Sequence, residues 1–99
     1  MNIKEMMKKV LNKEEALLES KKDLIRIDDF INILNGKYCE SDKYVMIDIK
    51  HTRDELTGIY CNTEVAVKFL ESIRKDVENR VKDFELALEK AKKELKEIL

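Results

Sequence analysis

Proline is absent from this chain of 99 residues, and glycine occurs only as Gly36 and Gly58. The two residue types that most readily break a helix therefore leave two long stretches untouched, one ahead of Gly36 and one beyond Asn62. Both stretches carry apolar side chains at helical spacing. The expectation is a single, mainly α domain in the order α-β-β-α. Long amphipathic arms at about 2–35 and 63–98 flank a β-type centre at about 37–61, and the arms form an antiparallel helical hairpin or an oligomeric bundle.

In the first arm Ile3, Val10, Leu17, Leu24 and Ile31 recur every seven residues, with Leu11, Leu18 and Ile25 beside them as a second row. The two rows predict a wide apolar stripe. The intervening row of Met6, Lys13, Ser20, Ile27 and Leu34 is apolar only towards its ends, which suits a multi-helix bundle better than a strict two-stranded coil. Asn2 followed by Glu5 has the spacing of a capping box. Asn12 followed by Glu15 repeats it and leaves open a break there, although one continuous helix is the favoured reading. Asn35-Gly36 supplies the stop, with Gly36 expected in the left-handed conformation that closes a helix.

The second arm is expected to start after Asn62 or Thr63, either of which can cap free backbone amides. Its apolar positions Leu70, Ile73, Val77, Val81, Phe84, Leu88, Ala91, Leu95 and Ile98 advance in steps of three and four, with a stutter at Ile73, Val77 and Val81. Glu64→Lys68, Glu71→Lys75, Glu78→Lys82 and Glu89→Lys93 have the charge order that supports a helix, at roughly 0.2–0.5 kcal/mol each. Arms of this length would reach about 50 Å if continuous, at 1.5 Å per residue. Pairing within one chain would cover one side of each, so a homo-oligomer is expected, with a dimer favoured. Its candidate interface residues are Leu17, Leu18, Leu24, Ile25, Val77, Val81, Phe84 and Leu88.

Between the arms, Val45, Ile47 and Ile49 alternate with polar or larger neighbours as in a half-buried strand. Leu56–Cys61 reads as the antiparallel partner, His51–Glu55 as the connection, and Tyr38-Cys39 as an optional third strand. Gly58 within the second strand suggests a bulge or a close backbone approach. All three tyrosines, both cysteines and the single histidine lie in this segment. Tyr38, Tyr44, His51, Arg53 and Tyr60 are therefore the candidate binding residues, although strand and turn preferences alone would also gather such residues here.

Charged residues make up 41% of the chain, but their signs nearly cancel to a net charge of −1. That balance argues against a nucleic-acid partner, which would need a local excess of Lys and Arg. Nothing approaches eighteen consecutive apolar residues, and the charged N-terminus lacks a hydrophobic signal core, so a soluble, cytoplasmic protein without a membrane partner is expected. Two cysteines are too few for a secreted disulfide scaffold.

No residue pattern points to catalysis, a metal or a cofactor, so a protein that is not an enzyme is expected. Cys39, His51 and Cys61 lack the paired ligand unit that nucleates a zinc site, and a Cys–His nucleophilic pair would have no orienting third group. Asp28-Asp29 and Asp54-Glu55 read as solvated charges, and neither glycine sits in a phosphate-binding loop. Arg74 and Arg80, near the stutter, are placed to meet a carboxylate across an interface, to bind an anion, or to lie exposed with their stems on the stripe.

Three functional readings follow. The first is a non-enzymatic, oligomeric helical binding module that engages another macromolecule, in the form of a small phage-type regulator or inhibitor of a host protein. The second comes from topology: helix, β-hairpin, helix resembles the order of small prefoldin subunits, which implies a holdase chaperone whose coiled-coil tips grip unfolded clients. No motif accompanies that resemblance. The third is a small-ligand or nucleotide-sequestering protein in which the tyrosines stack on a base.

Overall fold

A computed structural model describes residues 2–36, 44–50 and 55–99. Helix α1 spans Ile3–Gly36, strands β1 and β2 span Tyr44–Lys50 and Glu55–Asn62, and helix α2 spans Thr63–Ile98. The α-β-β-α order is present, with the strands forming one two-stranded antiparallel sheet.

Side-chain caps set both helix starts. Oδ1 of Asn2 accepts a 2.8 Å hydrogen bond from the backbone N–H of Glu5, and its carbonyl accepts the first helical bond from Met6 at 3.1 Å. The spacing at Asn12 produces no break, because α1 continues through it. Asn62 caps α2, its Oδ1 accepting from the N–H of Glu64 at 2.8 Å. The other end of α1 corrects the expectation for Gly36. That residue belongs to the last turn and does not have a positive φ, whereas Gly58 does. Gly36 weakens the helix end through its backbone entropy and not through a left-handed cap.

The chain forms two compact units, Met1–Arg26 with Arg74–Leu99, and Ile27–Ile73. In the first, α1 and α2 run antiparallel, as the cross-helix pairs Lys9–Glu94 at 3.5 Å, Glu14–Lys92 at 3.8 Å and Asp23–Arg80 at 3.7 Å require. Val10, Leu88 and Ala91 form its core, with Leu17 and Leu95 packed alongside. Ala91 is only 1% exposed, so the facing helix lies close against its Cβ.

Helix α1 turns a narrower face inward than its wide stripe suggests. Met6, Val10 and Ser20 are buried and Leu17 is half-buried, while the second row of Leu11, Leu18 and Ile25 stays 56%, 53% and 62% exposed. The inner seam accepts Ser20 because a hydroxymethyl group is small, and half-buries Lys13, whose alkyl stem can lie on apolar neighbours. On α2 the predicted row faces inward over most of its length, with Val77, Val81, Leu88 and Ala91 buried and Leu70, Ile73, Phe84 and Leu95 half-buried, but its last member, Ile98, is exposed. Glu78 pairs with Arg74 on the preceding turn instead of with Lys82.

The second unit holds the hairpin. Val45 pairs with Cys61 and Ile47 with Ile59, on the sheet face opposite to Tyr44, Met46 and Tyr60. Beyond Ile47 the register slips by one residue. Gly58 sits at that slip with φ of 74°, the backbone conformation that a glycine-containing β-bulge requires. The expected role of Gly58 as a bulge is therefore present. Ile27, Thr63 and Ala66 are the buried helical residues of this unit.

Candidate functional site

The second unit carries an open apolar groove of about 510 Å³. Three pieces of chain line it: Phe30, Ile33 and Leu34 from the last turns of α1, Val45 to Asp48 from β1, and Ala66, Phe69 and Leu70 from the first turns of α2. Each piece has a local reason to be there. Phe30 and Phe69 follow the buried Ile27 and Ala66 by three residues and so lie at the flank of each buried seam, where they are left exposed, and Ile33 points away from the α1 seam.

The result is an apolar surface that the other described residues leave open. Phe30 is 59% and Phe69 47% exposed, and Met46 and Ile33 are also exposed. Asp48 is the one charged residue among the described lining residues, and its Oδ1 accepts a hydrogen bond from the N–H of Gly58 at 3.1 Å. Within 27–73 acidic residues outnumber basic ones, whereas basic residues outnumber acidic ones in the rest of the chain.

Two of the tyrosines expected to bind a ligand are described, and neither is a lining residue, although Tyr60 pairs with the lining residue Met46. Tyr44 and Tyr60 share one sheet face and are 63% and 65% exposed. Tyr38, His51 and Arg53 lie outside the described residues, as do Cys39, the Asp54 carboxylate and the optional Tyr38-Cys39 strand. Cys61 is a half-buried free thiol. Among the described residues, no group of three or more His, Cys, Asp and Glu side chains is arranged to hold a metal ion.

No protein-family model matches this sequence, and neither a curated protein nor a solved structure matches it. No helix among the described residues is long and apolar enough to cross a membrane.

The candidate oligomer interface divides into two groups. Val77, Val81 and Leu88 are buried within the chain, and Leu17, Leu24 and Phe84 are half-buried. Leu18 and Ile25 remain exposed. Arg80 meets a carboxylate of the opposite helix within its own chain, at Asp23, and a second on its own helix, at Asp76, both at 3.7 Å. The groove residues Phe30, Ile33, Met46 and Phe69 were not singled out by sequence. Their signal was present, since Phe30 and Phe69 are aromatic residues off the seam of an otherwise periodic helix.

Proposed function

We propose that this chain is a non-enzymatic, oligomeric binding module that engages another macromolecule through the groove between its hairpin and helix ends. The observation that carries the reading is the exposure of Phe30 and Phe69 on opposite helices beside the strand residues Val45 to Ile47. Apolar side chains gathered into one open concave surface mark a docking site more often than a solvated face. The acidic excess in the sequence of residues 27–73 favours a partner that presents apolar side chains flanked by Lys or Arg. A small cytoplasmic regulator or inhibitor of phage type, which occludes a host protein, suits this form.

Affinity capture from the source lysate tests the reading, with wild type and Phe69→Asp as baits. Wild type is expected to retain a stoichiometric protein that the variant releases. Capture of nothing by wild type, or of the same protein by both baits, overturns it.

The exposed apolar groove also supports the prefoldin-like holdase reading, because unfolded clients bind through apolar segments. Suppression of client aggregation by wild type but not by Phe69→Asp would favour it over a folded partner. At about 510 Å³ the groove is also within the size range of small-ligand sites. A nucleotide that raises the unfolding temperature would favour that third reading.

A further inference from the structure

The exposed row of α1 has a symmetry that its inner seam lacks. Leu11, Leu18 and Ile25 are spaced by seven residues, so they stand in line along one strip of the helix, about 21 Å long at 1.5 Å per residue. Between the first two lie Glu14 and Glu15, and between the last two lie Lys21 and Lys22, all four exposed. About Leu18 the strip is thus symmetric in apolar residues and antisymmetric in charge.

We propose that this strip is the contact surface for a second copy of the chain, packed antiparallel about a two-fold axis at Leu18. An isologous contact requires that if residue i meets j, then j meets i. With the axis at Leu18, Leu11 meets Ile25 of the partner subunit, Glu15 meets Lys22 of the partner subunit on one flank of the strip, and Glu14 meets Lys21 of the partner subunit on the other. Every charge on the strip then faces its opposite.

Other arrangements fail on the same residues. A parallel pair would set Glu15 on its own copy and Lys21 on its own copy. An antiparallel pair centred midway between Leu11 and Leu18 would set Glu14 beside Glu15 and leave the leucines facing one another without Ile25. Like charges at these spacings oppose association.

Local features agree with the Leu18 axis. A shallow hollow of about 340 Å³ opens beside Leu18, lined by Glu14, Leu17, Leu18, Lys21, Leu88 and Lys92, and gives the partner subunit's Leu18 a place to seat. Within the chain Glu14 is held only loosely by Lys92 at 3.8 Å, and Lys22 by Glu19 at 3.5 Å. Glu15 and Lys21 form no ion pair with any described residue.

This inference rests on the oligomeric part of the proposed function and leaves the groove free, so the two fail separately. Sedimentation equilibrium over a wide concentration range tests it on the full chain. Wild type is expected to dimerise, and Leu18→Glu to weaken the dimer at least a hundredfold without loss of helicity, because Leu18 is exposed in the single chain. Glu15→Lys alone and Lys22→Glu alone each turn two attractive contacts repulsive and weaken the dimer about tenfold. The double variant Glu15→Lys/Lys22→Glu, and an equimolar mixture of the two single variants, restore wild-type association.

A wild type that stays monomeric at all concentrations overturns the inference. So does a dimer indifferent to Leu18→Glu, or a double variant no better than its parents. Groove-dependent capture that persists in Leu18→Glu would leave the binding function standing without the dimer.

Discussion

The backbone N–H of Gly58 donates a 3.1 Å hydrogen bond to Oδ1 of Asp48 on the opposite strand, at the step where the ladder slips by one residue. A bulge removes a backbone donor from the ladder, and here a side-chain carboxylate receives it. The same slip holds Gly58 at φ of 74°, where a Cβ is disfavoured by backbone geometry alone, since no neighbouring atom lies within 4 Å of the position that a Cβ would take.

Alanine at the two glycines is therefore expected to act with opposite signs. Gly58→Ala should destabilise by roughly 1–2 kcal/mol, the cost of a left-handed non-glycine residue. Gly36→Ala should stabilise by up to about 1 kcal/mol, because Gly36 is helical, lacks a positive φ and has open space around it. Urea unfolding followed by circular dichroism reads both. Equal effects at the two sites would contradict the backbone account.

The caps contribute independently of packing. Asn2→Ala and Asn62→Ala should each cost about 1 kcal/mol, and replacement by Asp or Ser should retain most of that stability. Chemical denaturation of these variants checks this. Loss at Asn62 should also lower hydrogen-exchange protection in the first turn of α2, where the Glu64 amide is capped.

Burial separates the inner seam of the helix pair from its outer row. Leu88→Ala removes a buried side chain from the Val10–Ala91 core and should cost roughly 2–4 kcal/mol. Leu18→Ala, measured in dilute solution, should change stability by less than about 1 kcal/mol. A reversed order would mean that α1 faces α2 through its outer row.

Element order and helix starts were legible because they depend on local chemistry: the missing prolines, the side chains of Asn2 and Asn62, and the three-and-four spacing from Leu70 to Leu95. The bulge was legible for the same reason, since a glycine inside a strand has few other uses. The rotation of α1 was not. Leu11, Leu18 and Ile25 are more apolar than Lys13 and Ser20, so hydropathy alone favours the row that the single chain leaves outside. What turns the helix is the partner surface of α2, together with the apolar residues Met6 and Ile27 towards the two ends of the inner row. Neither can be weighed from one helix at a time. The groove was hidden by non-locality: Phe30, Met46 and Phe69 are far apart in sequence and share a surface only once the hairpin is formed. The left-handed stop expected at Gly36 failed because glycine ends a helix by more than one route.

The central functional claim is that the groove of the second unit is where a macromolecular partner sits. Hydrogen–deuterium exchange on the protein with and without its captured partner tests it most directly. Added protection is expected at 30–34, 45–48 and 66–70, with the strip at 11–25 unchanged. Protection confined to residues outside those three segments would contradict the account.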